Sequence, residues 1–262
     1  MTEVPLVLTE KHDDVLVVTI NRPQVRNAVD RATAEALCFA FESFEQEHEL
    51  SVAVLTGAGG TFCAGADLKS IASSDRENAN RVERHGPGPM GPTRIQLSKP
   101  VIAAVEGHCV AGGLELALWC DLRVAANDSV FGVFCRRWGV PLIDGGTVRL
   151  PRLIGQSRAL DMIITGRPVN GYEALAMGLV NRLCDPGNAL PDALALAHQV
   201  ASFPQKCLRS DRSSVYEQWD LDFAGAMANE TGLGISVLKS GETILGAQNF
   251  AGGAGRHGSF GR

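Results

Sequence analysis

An α/β fold with a mostly parallel sheet and a helical C-terminal region is what this sequence predicts. Two observations carry the prediction. Short β-branched runs alternate with segments of helical apolar spacing up to about residue 155, and beyond Gly155 the pattern turns mainly helical. A chain of 262 residues, 45% of them hydrophobic, is also long enough to bury a sizeable core.

The runs LVL (6–8) and VLVVTI (15–20), separated by KHDD, predict a hairpin, and NRP stops its second strand. Leu37, Phe41, Phe44 and His48 fall at helical spacing between Asp30 and Glu49, with Asp30 as N-cap. VAVLTG (52–57) reads as a buried strand, followed by a loop and a helix starting near Asp67. The polar, Gly- and Pro-rich stretch 73–94 predicts a mobile surface loop or lid. PVIAAVEG (100–107) is a further strand, a helix opens at Gly112, and DLRVAA (121–126) and VFGV (130–133) give two more strands. Helices are expected over 157–165, 170–177, 188–202, 205–219 and 221–249, ahead of a Gly-rich tail, GGAGRHGSFGR, ordered by contacts. The division this suggests is a core over 1–200 and a helical region over 201–262.

Composition excludes some partners. A formal charge of −5 offers no basic field to nucleic acid or anionic lipid. No apolar run is long enough to span a membrane, and the N-terminus lacks a basic-then-apolar leader, so a soluble, cytoplasmic protein is expected. The seven scattered cysteines form no Cys-x-x-Cys pair and read as reduced core thiols; no group of residues has metal-ligand spacing.

Two loops carry the chemistry. GAGGTFCAGADLK (57–69) follows a strand and opens a helix, but Ala66 and Asp67 stand where a phosphate loop needs Lys and a hydroxyl, and Phe62 breaks the dinucleotide pattern. What remains is a run of small residues exposing peptide N–H groups at a helix start, or a tight turn with Asp67 as N-cap. HCVAGGLELAL repeats the design, and two such loops can aim two N–H groups at one oxygen that becomes negative during reaction. Glu115 stands one turn into the second helix, in an otherwise uncharged run. A buried carboxylate gains a raised pKa suited to proton transfer. Its structural alternative is an ion pair with Arg123 or Arg149. Ser157 reads as a helix N-cap, and Arg136 and Arg137 as surface or interface residues, with contact to a polar acyl group as the other reading.

FCAGADLK, GHCVAGGLELALWCDLRVAA, FG (131–132), GGTVRL, ITGRP–EALAMGLVN and the early NRPQVRNAV, in this order over about residues 5–205, resemble the enoyl-CoA hydratase (crotonase) superfamily. The resemblance implies a crotonase (ClpP-like) fold of repeated ββα units, a C-terminal helical region that serves trimerisation and covers the pocket, and assembly as trimers or paired trimers. It implies an acyl-CoA substrate in lipid metabolism, with coenzyme A as part of the substrate and no separate cofactor. Carried over, the oxyanion donors are the N–H groups of Ala66 and Gly112; Ala64, Asp67, Leu68 and Lys69 hold the CoA, and Val25 and Arg26 lie by the adenine.

The hydratases of that family deliver water with two glutamates. One matches Glu115; the position of the other is Cys135. General acid–base help supplies about 10²–10⁴ in rate, and a thiol is no obvious substitute. Asp144 is the candidate replacement, or else the N-cap of the helix that follows. The expected function is therefore an enoyl-CoA hydratase-type lyase. The alternatives are another reaction on the same scaffold (isomerase, thioester or C–C hydrolase, decarboxylase) and an acyl-CoA-binding protein with little turnover.

Overall fold

The computed structural model describes residues 4–73 and 76–255. The chain falls into two compact units, 1–198 and 199–262. Part of the predicted lid (74–75) and most of the Gly-rich tail (256–262) lie outside the described residues.

The first unit opens on the predicted hairpin: β1 (Val7–His12) pairs antiparallel with β2 (Val15–Ile20). In α1 (Arg31–Gln46) the Asp30 carboxylate accepts the Thr33 N–H at 2.9 Å and buries Leu37, Phe41 and Phe44. The helix stops before His48, which is exposed; Leu50 turns inward instead. The reason is Lys99. Its buried ammonium donates to the carbonyls of Phe44 and Glu47, both at 2.6 Å, and so ends the helix with a cation at its negative pole.

From β3 (Val52–Gly57) and the short α2 (Leu68–Ala72) the chain enters two ββα units. The first is β4 (Val101–Val105), β5 (His108–Val110) and α3 (Gly112–Trp119). The second is β6 (Leu122–Ala126), β7 (Val130–Gly132), a 3-10 turn over Phe134–Trp138, and α4 (Gly146–Ile154). The leading strand of each unit joins a six-stranded sheet. The trailing strand joins a small second sheet against which α3 starts. Then follow α5 (Gln156–Thr165), β8 (Val169–Asn170), α6 (Gly171–Ala176), β9 (Arg182–Cys184) and α7 (Ala189–Ala201). The large sheet has the order β1-β2-β3-β4-β6-β9, parallel beyond β2; the small one is β5-β7-β8. The strands β3 and β4 are buried on both faces, which is why they read as unbroken apolar runs.

Several expectations need correction. The strands β5 and β9 are only three residues long, too short for a period to show. Ser157 lies inside α5, whose N-cap is Gly155. The stretch 73–94 is not a free lid throughout, because residues 88–93 are buried.

The second unit holds α8 (Gln205–Glu217), α9 (Phe223–Lys239) and α10 (Glu242–Ala251). The single helix expected over 221–249 breaks at Ser240–Gly241, where Gly241 takes a φ of +84°. Glu242, just past the break, accepts the N–H groups of Lys206 and Cys207 at the start of α8. Among the described residues no helix is long and apolar enough to cross a membrane.

Candidate active site

Two loops build the site, and one buried amide fixes the first of them. Asn27 sits in left-handed backbone (φ +55°), and its Nδ2 donates to the carbonyls of Ala58 and Thr61 at 2.8 and 2.6 Å. Arg22 binds Asp30 and Asp67, each at 3.1 Å, and Asp67 in turn accepts the Lys69 N–H to cap α2. The loop after β3 is thereby held against the segment before α1.

The second loop touches it at Gly65. With φ at +98°, a Cβ on Gly65 would lie 2.9 Å from the Gly112 nitrogen and 2.8 Å from the Ala111 Cβ. Ala111 itself holds φ +54°, ψ −127°, a region side-chain-bearing residues rarely adopt. Such backbone costs about 1–3 kcal/mol and is found where surrounding structure imposes it. Here the Ala111 N–H is tied to the Gly132 carbonyl at 2.8 Å, and the turn aims the next peptide toward Gly65. Among the described residues neither the Ala66 N–H nor the Gly112 N–H has an acceptor, and both residues line one cavity of about 740 Å³. That volume suits a cofactor-sized ligand.

Glu115 points into the same cavity and is 2% exposed. One oxygen, Oε1, accepts the N–H groups of Asp144 (2.9 Å) and Gly146 (2.8 Å). A Cβ on Gly146 would come within 2.9 Å of that oxygen, so only glycine lets the backbone close on it. The other oxygen has no partner among the described residues. Of the two arginines offered as ion-pair partners, Arg149 is near enough for its charge to lower the Glu115 pKa. Arg123 spends its guanidinium on the carbonyls of Ala117, Cys120 and Leu179, and Arg149 binds the carbonyls of Thr93 and Asp144. Burial pushes the Glu115 carboxyl up to about 7, with the nearby Asp144 charge adding to it and the two N–H groups opposing it.

Asp144 is 3% exposed, lines the cavity, and does not cap α4, whose N-cap is Gly145. Its Oδ1 accepts the Met90 N–H (3.0 Å) and the Thr93 hydroxyl (2.5 Å), which pins the inner half of the 73–94 stretch to the site. Burial raises its pKa as well. Cys135, on the 3-10 turn, is 7% exposed and also lines the cavity; burial and then the Glu115 charge raise its thiol pKa, so it is a neutral thiol at neutral pH.

Of the residues expected from the sequence, Arg26, Ala64, Ala66, Leu68, Gly112, Glu115, Cys135 and Asp144 share this cavity. Val25, Asp67 and Lys69 do not line it. Asp67 is turned inward to Arg22, and Lys69 is exposed on a helix of five residues. Sequence reasoning missed Met90; Arg137 is exposed, as expected, and is also at the cavity. Arg137 lines the cavity, stacked 4.1 Å from the Phe134 ring, while Arg136 turns away to the Ile163 carbonyl. His108 lines the cavity from β5. Among the described residues no three His, Cys, Asp or Glu side chains converge as metal ligands.

The raised Glu115 pKa also bears on stability. A folded-state value near 7, above the ordinary 4.5, means the fold favours the protonated form; that stability is fully present below about pH 4.5 and is lost as pH rises through 7. Glu115→Gln removes the titration. The variant is expected to melt higher than wild type at pH 8.5 by an amount worth about 2–3 kcal/mol, and to lose most of that advantage at pH 5. Thermal melts across this range check it; parallel curves would contradict the buried, shifted carboxyl.

The family model described as Enoyl-CoA hydratase/isomerase matches residues 10–251. Enoyl-CoA hydratase EchA19 of Mycobacterium tuberculosis is 34% identical over 254 residues, 94% of each chain. The short-chain-enoyl-CoA hydratase of Clostridium acetobutylicum is 34% identical over 230 residues, 86% of each. Among solved structures, enoyl-CoA hydratase EchA1 from Mycobacterium marinum superposes with a TM-score of 0.88 at 38% identity, covering 95% of this chain and 96% of that one.

Proposed function

The chain belongs to the enoyl-CoA hydratase/isomerase family, and we propose that it performs hydratase-type chemistry with a single general base and acid, Glu115. The thioester oxygen of an enoyl-CoA accepts the Ala66 and Gly112 N–H groups, which draws electrons from C3. The unpartnered Glu115 oxygen takes a proton from water as the water oxygen bonds to C3. The double-bond electrons move to the thioester oxygen as an enolate. Glu115 then returns the proton to C2, and the carboxylate is restored. A carboxyl titrating near 7 suits both halves of that cycle. The observation that carries the reading is the convergence on one cavity of two N–H groups and one buried carboxylate oxygen that have no hydrogen-bond partner among the described residues.

Asp144 acts here through its neighbour. Its N–H holds Glu115, and its charge helps raise the Glu115 pKa. The backbone at Ala64–Leu68 and the Arg26 side chain receive the CoA. The cycle uses no further cofactor. Assembly as a trimer or dimer of trimers is supported by apolar side chains exposed on the second unit, among them Trp219, Phe223, Leu238, Ile244 and Phe250. A cytoplasmic location is supported by seven free cysteines.

The test pairs a crotonyl-CoA hydration assay with thermal shifts by CoA thioesters. Hydration with binding is the expected result. Tight binding without turnover at any chain length would favour a binding protein, and turnover of another acyl-CoA class would favour a different reaction on this scaffold. The absence of any shift would remove the acyl-CoA reading.

A further inference from the structure

Cys135 has no part in the cycle above, yet it lines the same cavity as Glu115. We propose that Cys135 is a covalent capture site for α,β-unsaturated acyl thioesters, its sulfur adding to C3 of the bound substrate to give a β-thioether. The proposal rests on the acyl-CoA reading of the cavity. It adds a second nucleophile to that cavity beside water.

Three placements support it. The two N–H groups that would hold the thioester oxygen, the buried Glu115 carboxylate with one oxygen free, and the thiol all line the same cavity. Cys135 and Glu115 line the same cavity, and the Glu115 charge is among the causes that raise the Cys135 thiol pKa. A bound enoyl thioester is itself an electrophile at C3, and the polarisation that prepares it for water prepares it equally for sulfur.

The step balances without a co-reactant. The thiolate is the nucleophile, and the thiol here is protonated, so Glu115 must take the S–H proton. The sulfur lone pair forms the S–C3 bond. The π electrons pass to the thioester oxygen, held by Ala66 and Gly112, and Glu115 delivers the proton to C2. The reverse sequence, starting with loss of the C2 proton, frees the substrate, so capture is reversible while the adduct stays in the cavity.

Intact mass of the full-length protein, quenched in acid after incubation with crotonyl-CoA, should show a gain of one crotonyl-CoA, mapped by peptide to Cys135. Butyryl-CoA, which lacks the double bond, should bind and give no adduct. Cys135→Ala should give none with either, and Glu115→Gln should form the adduct at least about tenfold more slowly. Should the alanine variant not fold, wild-type protein serves: butyryl-CoA should then block iodoacetamide labelling of Cys135. An adduct confined to the exposed Cys207, or none although butyryl-CoA raises the melting temperature, overturns capture alone. No shift by any CoA thioester overturns the acyl-CoA reading with it.

Discussion

Glu115→Gln is expected to hydrate crotonyl-CoA about 10²–10⁴-fold more slowly than wild type and to bind butyryl-CoA with unchanged affinity. The substitution is well matched in shape. The glutamine oxygen can still accept the Asp144 and Gly146 N–H groups that now hold Oε1, so the loop stays in place. What is lost is the oxygen on the cavity side that takes a proton from water. The loss should fall on kcat rather than KM, because the thioester is held by backbone donors on other residues. The wild-type kcat should rise with pH through about 7 on its basic-group limb, and the residual activity of the variant should not. A drop of less than tenfold would mean that another group, Asp144 first, does the proton transfer.

Cys135→Glu is expected to act in the opposite sense and raise crotonyl-CoA hydration about 10²-fold or more. It places a second carboxyl on the cavity wall, where the family's hydratases, by the resemblance in the sequence, keep one. Two acid–base groups can divide the work that Glu115 does alone, lowering the barrier by about 3 kcal/mol or more for such a gain. The same change removes the thiol. An increase of this size would show that the position of Cys135 lies beside the reacting carbons and that a second carboxyl there shares the proton transfer Glu115 does alone. No increase would place the side chain at 135 away from the reacting carbons, and would count against its capture of the substrate as well.

Much of this was legible in the residues, for reasons that differ by element. Buried parallel strands announce themselves as unbroken apolar runs, and α1 by its stripe and Asp30 cap. The two glycine-bearing loops were legible because small residues between a strand and a helix leave few other purposes. Glu115 stood out through the cost of burying it. The misses have physical causes. His48 kept the helical period but lost the helix, because Lys99, fifty residues on, takes the carbonyls that would continue it. Asp144 stayed open between a working acid and a cap because it precedes a helix; its carboxylate is drawn to Met90 and Thr93, and Gly145 takes the cap. Nothing local distinguishes Arg137 from Arg136. Which of two adjacent arginines faces a cavity depends on the ring of Phe134 and the way the 3-10 turn sets them.

The alternation of strands between two sheets bears on the order in which the protein is made. The donors come from loops after β3 and β5, the carboxylate from α3, and the two N–H groups that hold it from residues 144 and 146. The large sheet is knit by crossovers, with β9 pairing to β6 from almost sixty residues away. Contacts so distant along the chain form slowly. A ribosome must therefore release about the first 150 residues, more than half the chain, before any substrate pocket exists. As they emerge, the apolar strands β3 and β4 each have one sheet neighbour already made and wait for the other, β4 and β6 respectively, which leaves an apolar sheet edge of the nascent first half in need of shelter from aggregation.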